Sequence, residues 1–511
     1  MTGQRGKYEV VGTKDKATGK GQSGKTEFVL WTSSFVLALS LVLCPWSFPE
    51  ACTIGVFGPD ASASGRPMLW MNRVVSAENQ EMSYFVGSRF RYVTNVYAND
   101  TLNAWAGINE AGFAIMNSNS FNIMGKGGDM ADDGNIMSLA LGTCATVSEF
   151  AGLLDSLNVI GRETPANYGV FDSTGTTSMF ETSNLFYNRY DCDEDTIGLI
   201  LRANYSVSGN PNRETGKNRY ERAMQLAVPA RHENRIDSRF IVRTLTRDIG
   251  RTFLDPYPLP FEGTYDTLPT GYLPVESTLC RRTTRSAEVM VGTRRGEPAG
   301  RTMMWVLLGS PQVSLPVPVW VQGGPPPEAL DGPDHAPICD EAVRLRNYVR
   351  CDPDHPVADN TYRLADLLER FAPVEERLFS MVDSAEAEWP LTGPSPEQAT
   401  TLTSDACTIV LDAYLQFWDH PYREPYAPIP DTNPATMQTV SRDTVLVGLP
   451  ASVRAGTARV FDAAGRQVAA FGVQSGQRAV AWRPLGLTSG NYFIVFPAGS
   501  AARPVRFTFI R

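Results

Sequence analysis

The sequence predicts an α+β fold that passes into a helical extension and ends in a small β-sandwich, and three features of the residue pattern predict it. Short runs that alternate apolar and polar residues recur between Cys52 and Val321, at Phe90 to Val96, Phe113 to Met116, Gly169 to Phe171 and Glu288 to Val291; this is the period of strands. Among them, Val147 to Asn158 and Arg219 to Val228 carry apolar residues three and four apart, the period of helices packed against a sheet. Two breaker-rich stretches then divide the chain, GGPPPEALDGPDHAP from Gly323 and PYREPYAPIPDTNPATMQTVSRDT from Pro421.

In chain order these signals place a leader at 1–51, an α+β domain at 52–324, a mainly helical extension at 325–420, a Pro-rich linker at 421–444 and a β domain at 445–511. The extension is helical because Leu364, Leu367, Leu368 and Phe371 fall on one face. The last domain is β because ARVFDAAGRQVAAF sets two apolar strands about the turn Ala464–Gly465, while GNYFIVF and VRFTFI supply two more.

The leader reads as an export signal. Basic residues crowd MTGQRGKYEVVGTKDKATGKGQSGK, the apolar run FVLWTSSFVLALSLVLC follows from Phe28 to Cys44, and Pro45 breaks it before small or polar residues up to Ala51. A single-pass anchor is the competing reading, because this run approaches the roughly 20 residues that cross a bilayer. Cleavage before Cys52 leaves the small Ala51 at the last leader position, although Pro49 suits a signal peptidase poorly. Lipidation at Cys44 is disfavoured by Leu43 before it. The expected location is therefore secreted or at the cell surface.

A net charge of -9 gives no electrostatic reason to expect nucleic acid as a partner. Past the leader, cysteines stand at 52, 144, 192, 280, 339, 351 and 407, and an odd number in an exported chain leaves at least one thiol unpaired. Cys52 is the candidate. The other six allow up to three bridges, Cys339 with Cys351 being the pair closest in sequence. No CxxC pair occurs and the histidines His232, His335, His355 and His420 are scattered, so neither a metal nor a cofactor is expected.

Cys52 sits where a disposable leader meets the first strand, so proteolysis there would free its α-amine. Such an amine titrates near 8, far closer to neutrality than a lysine, and takes the thiol proton without any histidine. The sequence around it resembles a known family. The blocks ACTIGVFGPDASASGRPMLWMNRVV, WAGINEAGFAIMNS, ANYGVFDSTGTTSMFET, STLCRRTTRSAEVMVG and MMWVLLGSPQVSLPVPVW, in that order, resemble the acyltransferases and hydrolases that include isopenicillin-N acyltransferase and carcinine hydrolase, which are N-terminal-nucleophile enzymes. The resemblance implies a four-layer αββα sandwich, a thioester formed on Cys52 and a small N-acyl or peptide-like amide as substrate. The tail resembles the C-terminal sorting domain of type IX secretion substrates at Gly465 to Val468, Trp482 and Gly490 to Val495, which implies the secretion machinery as a partner.

By the same resemblance, Asn167 in ANYGVFD is the leading oxyanion donor and Asn117 in AIMNS the second, each neutral amide offering roughly 3 kcal/mol to a developing oxyanion. Arg281 is placed to orient the α-amine or to bind a substrate carboxylate, and Thr53, Arg202 and Asn204 to contact substrate. One position departs from the pattern: where relatives carry an aspartate that hydrogen-bonds near the new N-terminus, Met71-Asn72-Arg73-Val74 places a valine. Asp60 and Glu78 are the candidate substitutes for it, with nothing in the sequence that selects either. Val74 keeps a non-catalytic binding protein on the same fold as an alternative. A secreted cysteine dipeptidase of a related family is another. A histidine-assisted cysteine protease is a third, disfavoured because no histidine lies in the matching blocks.

Overall fold

A computed structural model of the protein describes residues 52–123, 132–250, 259–332, 335–350, 355 and 357–419, and in the C-terminal segment 437–441, 444–448, 455–462, 466–474, 479–482, 490–495 and 505–509. The leader, Cys351, His420, the turn Ala464–Gly465 and most of the proline-rich stretch lie outside these residues.

Strands β1 (Thr53–Phe57) and β2 (Met68–Val74) form an antiparallel hairpin in which Thr53 faces Asn72 and Phe57 faces Met68. The next seven, β3 (Gln80–Val86), β4 (Arg91–Tyr97), β5 (Ala106–Asn109), β6 (Ala114–Asn119), β7 (Ala166–Phe171), β8 (Thr177–Thr182) and β9 (Tyr187–Asp191), build one antiparallel sheet in sequence order. Helices α1 (Asp133–Thr143) and α2 (Val147–Ile160) enter between β6 and β7. Each starts on a side chain that accepts an otherwise unmet backbone N–H, Asp132 from Asn135 and Thr146 from Glu149. Their faces Ile136, Leu141, Phe150 and Leu154 pack on Ile115, Tyr168 and Phe180 of the seven-stranded sheet.

The chain then returns to its opening hairpin. Strand β10 (Leu199–Arg202) adds beside β1, and after helix α3 (Lys217–His232) and the short β11 (Tyr272–Pro274), β12 (Thr284–Val291) adds beside β2, followed by β13 (Met303–Leu308) and β14 (Val317–Val319). The resulting six-stranded sheet has the order β10-β1-β2-β12-β13-β14, all pairs antiparallel.

Every residue of β1, β2, β12 and β13 is buried, which requires cover on both faces. One face, with Ile54, Leu69, Met71 and Met290, meets Met82, Ile108 and Met116 of the seven-stranded sheet. The other, with Trp70, Val289 and Trp305, meets Ala223, Ala227 and Ala230 of α3.

Helices α4 (Pro337–Val349), α5 (Thr361–Glu388) and α6 (Pro396–Asp419) continue these same cores. Leu345, Leu364, Phe371 and Val410 join the cluster that contains Cys52, while Phe379, Val382 and Ala399 join the cluster of Trp70. Strand β15 (Ala358–Asn360), between α4 and α5, pairs with β11. Arg66 pins α5 to the six-stranded sheet's connections, holding both carboxylate oxygens of Glu386 at 3.0 and 2.8 Å and the carbonyl of Arg301 at 2.7 Å. The helical stretch therefore shares the α+β core, an outcome the spacing of Leu364 to Phe371 does not reveal.

In the C-terminal segment β16 (Met437–Ser441), β17 (Thr444–Gly448) and β20 (Ala479–Trp482) form a three-stranded antiparallel sheet, and β18 (Gly456–Asp462), β19 (Gln467–Val473), β21 (Gly490–Val495) and β22 (Val505–Phe509) a four-stranded one. Strand β16 falls inside the stretch read from its prolines as linker.

Two expectations need correction. Cys144, Cys192, Cys280, Cys339 and Cys407 are buried reduced thiols, so the bridge expected for Cys339 is not formed; its sulfur instead lies 3.4 Å from the carbonyl oxygen of Glu78. Each of these thiols sits in an apolar environment, where a small hydrophobe suffices. Nor does either candidate acid replace the missing aspartate. Glu78 is held by Arg285 at 3.0 Å and Arg346 at 2.7 Å, and Asp60 is exposed past the far end of β1.

Candidate active site

Cys52 precedes β1 and lies on the inner face of the six-stranded sheet, 8 % exposed. The backbone N–H of Val74, at the end of β2, points to its sulfur at 3.4 Å. Where an aspartate was expected there is thus a buried valine whose main chain, rather than its side chain, meets the thiol.

Shorter contacts to this residue come from α3. Arg219 Nη1 donates to the Cys52 carbonyl oxygen at 2.7 Å and to Thr53 Oγ1 at 2.6 Å, while Nη2 donates to Asn204 Oδ1 at 2.7 Å. Cys52, Thr53 and Asn204 are therefore joined through one guanidinium. Arg219 is 2 % exposed, and burial together with the nearby Arg281 cation lowers its pKa to about 9, against the opposing pull of Cys52. Gly216 makes this geometry possible: it adopts φ +80°, and a Cβ there would lie 2.2 Å from Arg219 Nη2.

Sequence reasoning missed Arg219, although a signal was present. Arg219 and Arg222 occupy the buried stripe of α3 that Ala223, Ala227 and Ala230 continue. Arginine on an apolar stripe is rarely left there without a partner, and Arg222 pairs with Asp248 at 2.7 Å.

Arg281 is a second cation whose charge acts on Cys52. It lies just before β12, its backbone N–H donates to Thr284 Oγ1 at 2.9 Å, and its Nε is buried without a hydrogen-bond acceptor. Burial lowers its pKa, while Glu276 and Cys52 pull it upward.

The remaining candidates are engaged differently. Asn167, fully buried on β7, donates to Ser118 Oγ at 3.2 Å and to the carbonyls of Ala203 and Tyr205 at 3.3 and 3.2 Å, and accepts from Ser206 Oγ at 2.6 Å. Its amide is spent on Ser118 and on the 203–206 segment that carries Asn204. Asn204 Nδ2 donates to the Asn119 carbonyl at 3.1 Å. Arg202 forms a buried pair with Glu181 at 2.6 Å, and Glu181 also accepts the N–H groups of Val207 and Ser208 at 2.8 Å each. Asn117 donates to Asp133 at 2.6 Å.

That last contact belongs to a buried polar cluster. Arg73 donates to Gln80 and, at 3.1 Å, to Asn95, and stacks over Tyr97 and Trp105 with its guanidinium carbon 4.3 and 4.4 Å from the ring centroids. Burial raises Glu288 to about 7 against the opposing influence of Ser286 and Arg73. Burial also raises Asp133 to about 6, opposed by Asn117 and Arg73. Among the described residues no group of three or more histidine, cysteine, aspartate or glutamate side chains is arranged to hold a metal.

No protein-family model matches the chain, and no curated protein matches it significantly. Solved structures similar to it include a variant of conjugated bile acid hydrolase from Clostridium perfringens, 11% identical over 50% of this chain and 89% of that one with a TM-score of 0.32. Penicillin V acylase from Agrobacterium tumefaciens is 14% identical over 53% and 86% with a TM-score of 0.33. At that level of similarity neither family nor chemistry transfers to this chain.

Proposed function

We propose that the chain is an exported amide-bond hydrolase or acyltransferase of the N-terminal-nucleophile class, with Cys52 as nucleophile after removal of residues 1–51. The observation that carries this reading is the placement of Cys52: a thiol at the head of an inner strand, its own carbonyl oxygen held at 2.7 Å by the buried Arg219 of α3. An anion formed at the sulfur would feel the positive charge of Arg219 and of Arg281 in a buried site of low dielectric, where charge stabilisation is strongest. On this reading the two sheets and their helical covers are the αββα layers of that class, and the C-terminal strands serve sorting during secretion.

In the proposed reaction the Cys52 α-amine takes the thiol proton, and the thiolate attacks the substrate's amide carbonyl carbon. The oxyanion collapses, the C–N bond breaks, and the departing amine takes the proton from the α-ammonium, leaving a thioester on Cys52. Water or a second amine then attacks the thioester and restores the thiol. Arg219 holds the Cys52 backbone and the Thr53 hydroxyl, fixing the strand end on which sulfur and amine depend, and Arg281 supplies the second positive charge.

A non-catalytic role on the same fold is the second reading, favoured by Val74, which leaves no carboxylate to orient the α-amine. Intact-mass and N-terminal sequencing of the exported protein separate the two. The enzyme requires a chain that begins at Cys52 and gains one acyl mass when trapped with an activated N-acyl amide; a mature chain retaining any residue before Cys52 excludes it.

A further inference from the structure

A cavity of about 460 Å³, lined by none of Cys52, Thr53, Arg219 and Arg281, opens between the segment after α3 and helix α5. Its body is apolar, formed by Leu226, Ile249, Leu364, Leu368 and Phe371. That volume falls in the range that encloses a small organic ligand. Gln312, in the connection from β13 to β14, lines the same cavity, is 1 % exposed, and has neither its amide oxygen nor its amide nitrogen hydrogen-bonded to the protein.

A buried carboxamide with donor and acceptor both unmet is costly, and native proteins rarely keep one without a partner from outside the chain. The charges around the cavity decide what that partner is. Arg243 and Arg247 are each paired with Glu375, at 2.7 and 2.5 Å, Arg243 also reaches Glu376 at 2.7 Å, and Asp248 is paired with Arg222. The cations are already matched, so an anionic head group finds no uncompensated positive charge. The group left over is a neutral amide, whose complement presents both an acceptor and an N–H.

We propose that this cavity is a binding site for a neutral amphipathic amide, its alkyl or aryl body lying against Leu364, Leu368 and Phe371 and its carboxamide paired with Gln312. The site shares no lining residue with the Cys52 centre and does not depend on the chain being an enzyme. The backbone nonetheless links them over a short path, because the Cys280 N–H donates to the Asp248 carbonyl at 2.9 Å and the next residue is Arg281.

Calorimetric titration of the exported protein carrying Cys52→Ala, with octanamide and then octanoate, tests this without turnover. Octanamide is expected to bind saturably at one site, with octanoate at least tenfold weaker. Gln312→Leu, which keeps the bulk and removes both polar atoms, should lower octanamide affinity about tenfold, as expected for losing a buried hydrogen-bonded pair. It should not lower the melting temperature, since the unmet amide goes with it. Ala372→Trp, which fills the cavity from α5, should abolish binding. Equal affinity for amide and carboxylate overturns the proposal, as does octanamide binding that survives both substitutions in folded protein. Absence of octanamide binding in the folded parent chain overturns it too, leaving water as the partner of Gln312.

Discussion

Arg219 Nη1 lies 2.7 Å from the carbonyl oxygen of Cys52, so the residue proposed as nucleophile is held in place by a cation from a helix more than 160 positions later, the two being 167 apart in sequence. Removing that cation tests the site directly. In Arg219→Met the Cys52 carbonyl, Thr53 hydroxyl and Asn204 amide lose their common donor. Charge-assisted bonds of this kind contribute roughly 1.5–3 kcal/mol each. The expected result is iodoacetamide alkylation of Cys52 slowed on the order of ten- to a hundredfold at pH 7, with Arg219→Lys recovering only part. Gly216→Ala should act in the same direction by displacing Arg219 Nη2, with a milder loss of melting temperature. An unchanged alkylation rate in both variants would mean that Arg219 serves the fold alone.

The thiols divide by environment. Burial raises Cys144 and Cys192, pushes Cys339 up to about 11 and Cys280 and Cys407 up to about 12, so each stays protonated and shielded at neutral pH. Cys52 is the most exposed of the six described, at 8 %. Brief alkylation at pH 7.5 followed by peptide mapping should find Cys52 modified at least tenfold faster than these five. Comparable labelling of Cys144 or Cys407 would remove the distinction on which the proposed chemistry rests.

The same thiols show where sequence reading stopped. Alternation and helical spacing were enough for a mixed fold of helices and antiparallel sheets, because burial on one face leaves a period in the residues themselves. Position alone singled out Cys52. What spacing does not encode is pairing between distant elements: that Arg219 reaches Cys52, that Arg202 is taken by Glu181, or that Asn167 spends its amide on the segment carrying Asn204. A cysteine count likewise says nothing of whether two sulfurs meet, so Cys339 read as a bridge and is a core thiol.

Buried on β12, Glu288 makes stability depend on pH. Its folded pKa of about 7 lies above the unfolded value of 4.5, so the folded state holds the proton more tightly. The stabilisation is fully present below pH 4.5 and is lost as pH rises through 7, an effect on the order of 3 kcal/mol for a wholly buried group. Asp133, raised to about 6 from 3.8, adds a loss of the same sign between those values. In Glu288→Gln the fall in unfolding free energy between pH 4.5 and 7.5 should shrink by roughly that 3 kcal/mol, as read from urea unfolding at each pH. Parallel pH profiles for the two proteins would show that Glu288 is ionised in the fold at little cost.

Gly300 and Thr392 set the last test, because they join the six-stranded sheet to the helices that follow it. A Cβ on Gly300 would stand 1.8 Å from the Thr392 carbonyl oxygen, a backbone atom with no rotamer to yield. Beside it Arg301 donates to the carbonyls of Trp389 and Pro390 at 2.6 and 3.2 Å, and Trp320 packs edge-on against Trp389 at 5.2 Å between ring centroids. Gly300→Ala must therefore push the α5–α6 connection away from the sheet, at a cost of about 1–3 kcal/mol or more, as for overpacking a filled core. Since Phe379 and Val382 share one cluster with Trp70 and Trp305, the loss should spread to the sheet. Hydrogen exchange should show α5 and β12 losing protection together in the variant. Loss confined to α5 and α6, with β12 unchanged, would instead mark the helices as a unit that unfolds independently of the sheets.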